Sequence, residues 1–190
     1  MMKQYRFLTV WEVQSPIERV FDALAHSERW PEWWHGVTRV EDIEPGDEHG
    51  VGNVRRYTFR SQLPYDLTFT MRSTLVEPPW RLEGQASGDL VGVGRWVLTE
   101  SGIGVTVRYE WQVGTTEWWM NLLSPVARPL FAWNHDVIMR WGEEGLRRHL
   151  GLPPRIESKS EARSSGKAAA VATLGAVLGV LWFWRSRRGH

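Results

Sequence analysis

Residues 11–34 read WEVQSPIERVFDALAHSERWPEWW, and this stretch decides the fold. Trp11 and Val13 close a segment, 5–14, in which Phe7, Thr9, Trp11 and Val13 share one parity while Arg6 and Glu12 take the other. Such alternation is the mark of a strand with one buried face. Ser15-Pro16-Ile17-Glu18 then supplies a capping serine, a proline at the first helical position and a glutamate three residues after the cap. Ile17, Val20, Phe21 and Leu24 follow at helical spacing. A second short helix is expected from Ser27, ending by Trp30, because Pro31 disfavours helical geometry in the residue before it.

Downstream the pattern changes to β. Gly36–Ile43, Asn53–Arg60, Tyr65–Val76, Trp80–Ala86, Leu90–Glu100 and Val105–Val113 all read as strands. The turn signals Glu44-Pro45-Gly46-Asp47, Leu63-Pro64, Glu77-Pro78-Pro79 and Ser101-Gly102 separate most of them. Val105, Val107, Tyr109, Trp111 and Val113 face one way and Thr106, Arg108, Glu110 and Gln112 the other, which is the clearest alternation in the chain. With the first strand this makes seven, joined mostly by short turns, so the expected fold class is α+β with a curved antiparallel sheet. A long helix is expected from about Val126 to Leu150. Stepping 100° per residue puts Ala127, Leu130, Phe131, Val137, Ile138 and Trp141 on one broad face, with Asp136, Arg140, Glu143 and Arg147 opposite. Asn134 falls inside the apolar face and His135 on its flank.

The chain has 190 residues, enough for one ordinary domain and a short appendage. It contains no cysteine, which excludes a disulfide scaffold, thiolate metal sites, iron–sulfur clusters and a thiol nucleophile. Lys+Arg 23 against Asp+Glu 22 is too balanced to point to nucleic acid. There are 13 Trp against 6 Phe and 4 Tyr, which implies an interior with a large aromatic surface. The start, MMKQYRFLTVWEVQ, lacks the apolar run of a signal peptide.

The other end differs in kind. Residues 168–184 read AAAVATLGAVLGVLWFW, without a charge, between Lys167 and the arginines at 185, 187 and 188. As a helix it would be about 25 Å long, at the lower limit for a hydrocarbon core of about 30 Å. Its seven Val, Leu and Phe residues favour insertion by roughly 2–4 kcal/mol together. Thr173 alone makes no polar face, and Trp182 and Trp184 stand where interfacial anchors would. The expected organisation is a ligand-binding domain over 1–151, a Ser-rich linker over 152–167, a transmembrane helix over 168–184 and a basic tail over 185–190. This places the protein in the cell membrane as a single-pass protein with a cytoplasmic head; the alternative is a tail that docks on the domain or on another chain. Gly175 and Gly179 form a GxxxG pattern through which such helices dimerise.

The order of elements, with Trp11–Trp34, Gly52-Asn53-Val54-Arg55 followed by Leu63-Pro64-Tyr65, and Gly88-Asp89-Leu90-Val91-Gly92-Val93-Gly94-Arg95-Trp96, resembles the START-like, helix-grip superfamily. Within it, residues 3–150 look like the polyketide cyclase/dehydrase and lipid-transport (SRPBCC) group. That resemblance implies a sheet wrapped around a long helix with an apolar cavity between them. Linker and tail lie outside it.

Candidate ligand-binding residues are those whose parity points inward. Arg55 shares parity with Tyr57 and Phe59, so its guanidinium needs an anionic or polar partner, either a ligand or an internal carboxylate. Phe69, Trp96, Tyr109 and Trp111 line the same interior from neighbouring strands, and Leu130, Asn134 and Ile138 from the helix. Tyr109 adds a hydroxyl, and Asn134 an amide that must find hydrogen bonds from a ligand, water or a strand carbonyl. The histidines do not cluster at metal spacing, Gly92-x-Gly94 is no dinucleotide loop, and no nucleophile elbow or Walker sequence occurs. No metal, cofactor or catalytic residue is therefore assigned. The reading favours membrane-tethered binding or transport of a hydrophobic molecule, such as a lipid, quinone or polyketide. A cyclase, aromatase or dehydratase acting in the same cavity is the alternative, and it would rest on Arg55, Tyr109 and His135 alone. A third class is an interaction protein presenting the WPEWW surface at residues 30–34.

Overall fold

The strand and the helices expected over residues 4–34 are present in the computed structural model, which describes residues 4–60, 66–115 and 124–155. The Ser15 cap is not: Pro16 stands at the N-cap of the first helix, with no side-chain bond there. Strand β1 (Gln4–Val13) buries Tyr5, Trp11 and Val13 and leaves Arg6, Leu8, Val10 and Glu12 exposed. Helix α1 (Ile17–Ala25) follows and buries Ile17, Val20, Phe21, Ala23 and Leu24. A single 3-10 turn (Ser27–Arg29) leads into α2 (Trp30–Trp33). Here Pro31 does not end a helix, contrary to the sequence reading. It sits in the first turn of α2, where its missing N–H costs nothing, and Trp30 stays helical before it.

The remaining strands are β2 (Val37–Glu44), β3 (Val54–Arg60), β4 (Asp66–Glu77), β5 (Arg81–Gly88), β6 (Leu90–Ser101) and β7 (Gly104–Thr115). They form one antiparallel sheet in the order β1-β7-β6-β5-β4-β3-β2. Consecutive strands from β2 to β7 are neighbours, and β1 closes onto β7. The first two strands are thus the two edges, and residues 17–33 carry the chain from one edge to the other across the concave side. Register shifts on β2 and between Ser73 and Leu75 of β4 mark the irregularities that help such a sheet bend.

Helix α3 (Ser124–His149) lies in the grip, packed on β1 and α2. It ends where Gly151 adopts a left-handed φ of 74°, with the amides of Gly151 and Leu152 returning to the carbonyls of Arg148 and Arg147. The packed unit continues to Arg155, which pairs with Glu143 at 3.2 Å. The apolar face of α3 also differs from the one drawn by 100° steps. Glu143 and Arg147 are buried, not opposite the core, because α3 is covered on more than one side near its end. Arg147 donates to the carbonyls of Glu12 (3.0 Å) and Pro153 (2.9 Å), tying the helix to β1 and to the segment beyond it. Burial pushes the Glu143 carboxyl up, even with Arg155 beside it.

The tryptophans of the WPEWW segment are interior, which removes it as an interaction surface. Trp30, Trp33 and Trp34 are all buried, Trp34 to 2% exposure. The Trp34 ring meets Trp30, Trp11 and Trp96 at centroid distances of 4.9, 5.8 and 6.4 Å. Both buried indole N–H groups on the Trp30–Trp34 pair are satisfied, Trp34 by the Ile138 carbonyl at 2.9 Å and Trp30 by the Ala23 carbonyl at 3.2 Å.

The linker beyond Arg155, residues 168–184 with Gly175 and Gly179, and the basic tail lie outside the described residues, as does the break at Leu63-Pro64. Among the described residues no helix is long and apolar enough to cross a membrane.

Candidate functional site

Inward side chains of a bent sheet leave space wherever a strand offers glycine opposite a large ring. On β6, Gly94 pairs with Trp111 of β7 on one side and with Gly84 of β5 on the other. A Cβ at Gly94 would stand 2.7 Å from the Tyr109 hydroxyl and 3.0 Å from the Trp111 ring. Neither position has room for a side chain: the two rings lie over Gly94, and the Met71 side chain lies over Gly84. Above this floor, between sheet and α3, is a cavity of about 840 Å³. That volume suits a drug-sized or lipid-sized molecule.

The walls are aromatic and ordered by strand register. Tyr57 of β3 is the register partner of Phe69 of β4, and the two rings stack at 5.8 Å, with Phe59 stacked on Phe69 at 5.7 Å. Trp96 of β6 is the partner of Tyr109 of β7, stacked at 4.1 Å, and Tyr109 is followed by Trp111 at 6.0 Å. Asn134 and Ile138 border the cavity from α3, both buried. The structure therefore brings Arg55, Tyr57, Phe59, Phe69, Trp96, Tyr109, Trp111, Asn134 and Ile138 around one space. The Leu130 side chain lies outside the described residues.

Arg55 is the charged member of the wall. Its Nη2 lies 2.9 Å from Glu28 and its Nε 2.7 Å from Asp42, its register partner on β2. Nη1 donates to the Ser27 hydroxyl at 2.9 Å and to the Ala25 carbonyl at 3.3 Å. Burial works against the guanidinium charge, but Asp42 and Glu28 outweigh it and raise its pKa above the usual arginine value. Ser27 also bonds the Tyr57 hydroxyl at 2.7 Å, and burial holds that phenol protonated well past neutrality. Burial raises the Tyr109 phenol as well, so it offers a hydrogen-bond donor, not a base.

Sequence reasoning left several wall residues unassigned. Tyr5 and Phe7 border the cavity from β1 with the same parity as Trp11, a signal already present in the alternation of that strand. Phe131 and His135 border it from α3, as the helical wheel anticipates by placing Phe131 on the apolar face and His135 on its flank, although neither is among the ligand-binding candidates. Glu48, His49 and Gly50, in the loop between β2 and β3, line it as well, where no periodicity exists to read. Among the described residues no group of three or more acidic or histidine side chains is placed to hold a metal.

Comparison with solved structures finds this architecture in several proteins. One is the di-domain aromatase/cyclase BexL of the BE-7585A biosynthetic pathway, at TM-score 0.62 and 18% identity over 80% of this chain and 51% of that one. This chain thus spans about half the length of that two-domain protein. The aromatase/cyclase ZhuI from Streptomyces sp. R1128 superposes at TM-score 0.59 with 15% identity, covering 77% of this chain and 92% of its own. A protein from Thermus thermophilus gives 0.58 at 17% identity, over 77% of this chain and 99% of its own. No curated protein matches the sequence at a significant level. At such identities the structural matches speak for the fold alone. Membership rests on the sequence itself: the family described as polyketide cyclase / dehydrase and lipid transport matches residues 13–136, from the end of β1 to the middle of α3. The chain belongs to that family.

Proposed function

We propose that the chain binds a hydrophobic small molecule in the cavity between sheet and α3 and carries it at a membrane surface, to which its C-terminal segment attaches it. The observation that supports this most is the 840 Å³ cavity walled by stacked aromatic rings. Burying a rigid apolar ligand there gains about 25 cal/mol for each Å² removed from water. The rings contribute further through offset stacking. Titrating the protein with fatty acids, quinones and polyphenols while following tryptophan emission tests the binding. Saturable quenching by at least one class is expected, since Trp30, Trp34, Trp96 and Trp111 all border the space. No response to any class overturns the reading.

The membrane part of the proposal is supported by the uncharged run 168–184 and its flanking basic residues. An apolar ligand partitions into the bilayer, and a linker of about fifteen polar residues keeps a head within roughly 20 Å of that surface. Full-length protein is expected to resist carbonate extraction from membranes, and a chain ending at Arg155 to be released. Full-length protein recovered without detergent in the soluble fraction overturns it. Protease access to the head from the cytoplasmic side tests the orientation.

A second reading, a cyclase, aromatase or dehydratase acting in the same cavity, is favoured by one observation. The Tyr109 hydroxyl and the His135 ring both border the cavity, so a bound polyketide carbonyl would meet a hydrogen-bond donor there. Conversion of a poly-β-ketone to a cyclised product in the presence of the protein distinguishes enzyme from carrier.

A further inference from the structure

Among the described residues, three buried polar atoms on the cavity wall have no hydrogen-bond partner: the Tyr5 hydroxyl and both ring nitrogens of His135. Leaving such atoms unpaired costs about 1–3 kcal/mol for each group. They are also neighbours. Tyr5 and Phe7 are successive inward residues of β1, while Phe131 and His135 lie one turn apart on α3. Tyr5 meets Phe131 edge-on at 5.8 Å, and Phe7 stacks on His135 at 4.5 Å. The charged group beside the imidazole, Asp136, stands 3.6 Å from Nδ1, beyond hydrogen-bond reach, and is largely exposed. The seam between β1 and α3 therefore presents one hydroxyl and one imidazole to the cavity, both held in place by aromatic packing.

From this geometry we infer that the β1–α3 seam is a polar subsite for a ring hydroxyl, so that the cavity selects hydroxyl-bearing aromatic molecules over their apolar analogues. The inference rests on the cavity being a ligand site. A neutral imidazole offers one donor and one acceptor, and a tyrosine hydroxyl can donate. A ligand carbonyl accepts from both but leaves the imidazole acceptor empty. A ligand hydroxyl answers it: it accepts from Tyr5 and donates to the free ring nitrogen of His135. The aromatic walls supply the other half of the specificity, because a flat ring is what stacked side chains enclose well.

The test compares 2-naphthol with 2-methoxynaphthalene, which share the ring system and differ in the ability to donate. Calorimetric titration of the full-length chain is expected to give at least tenfold tighter binding of the naphthol, about one buried hydrogen bond. In Tyr5→Phe and His135→Phe each ring and its stacking remain while the polar atoms go. Each change is expected to reduce that ratio severalfold, and the double variant to bring it within twofold, with methoxynaphthalene affinity kept. The ligand-free melting temperature of Tyr5→Phe should be unchanged or higher, since an unpaired buried hydroxyl is removed; a lower value would mean the hydroxyl has a structural partner and would overturn the subsite. Equal binding of the two probes by the unaltered chain, or a ratio that survives in the double variant, also overturns it while leaving the cavity a ligand site. If neither probe binds, the ligand-site reading falls and the subsite with it.

Discussion

Gly145→Ala is expected to lower the unfolding free energy by about 3 kcal/mol, the upper end of what overpacking costs. Intrinsic propensity predicts the opposite sign, because alanine in a helix interior is favoured over glycine by about 0.5–1 kcal/mol. The packing decides. A Cβ on Gly145 would fall on the carbonyl oxygen of Trp33, and that oxygen belongs to backbone that cannot step aside as a side chain can. One turn earlier a Cβ on Gly142 would stand 2.5 Å from the Trp34 ring, which is held by its bond to the Ile138 carbonyl. The two glycines let α3 lie directly on α2, so alanine at either position must lift the helix off the tryptophan cluster. Urea melts of Gly145→Ala and Gly142→Ala measure the loss. Gly102→Ala serves as the reference, since nothing lies within 4 Å of a Cβ there, and it should change little. A Gly145→Ala variant as stable as the unaltered chain would mean that α3 does not rest on Trp33.

This contact also shows where sequence reasoning stops. Period-two alternation located β1, β3 and β7, turn signals delimited most of the others, and β7 agrees residue by residue with the parity of Val105, Val107, Tyr109, Trp111 and Val113. The apolar spacing located α1 for the same local reason, whereas the expected Ser15 cap is not made: Pro16 holds the N-cap position and no side chain bonds the first turn. Pro31 was misleading because a proline is equally at home in the first turn of a helix, and only the tertiary position of Trp30 chooses between starting and stopping. The faces of α3 were blurred because a 100° wheel assumes one covered side, whereas α2, β1 and residues 152–155 enclose its end, burying Glu143 and Arg147. The aromatic wall was legible from parity alone. The polar seam was not, since a tyrosine at the start of β1 and a histidine on the flank of a helix are 130 positions apart and acquire meaning only when the fold joins them. The partners of Arg55 were equally out of reach: Glu28 and Asp42 come from the 3-10 turn and from β2.

For Arg55 the structure supports a definite expectation. Arg55→Ala should cost about 2–3 kcal/mol of stability, below the full penalty of breaking a buried ion pair because one of its two carboxylates is well exposed. The guanidinium is 16% exposed and Glu28 33%, whereas Asp42 is 64% exposed and gains back much of its hydration when the arginine goes. Ser27 and the Ala25 carbonyl also lose a donor, which loosens the turn between α1 and α2 and the Ser27–Tyr57 bond beside the cavity. One arginine already faces two carboxylates, so an incoming anion would meet no surplus of positive charge at this point. The preference for a fatty acid over its methyl ester should therefore be nearly the same in Arg55→Ala as in the unaltered chain, while the melting temperature falls. Arg55→Met with Glu28→Gln should recover part of the loss, because the methionine refills the space of the arginine stem and no half-buried charge remains. The opposite pattern, an unchanged melting temperature with a lost preference for the acid, would show that Arg55 meets the ligand's anion and that its carboxylate partners yield when the cavity fills.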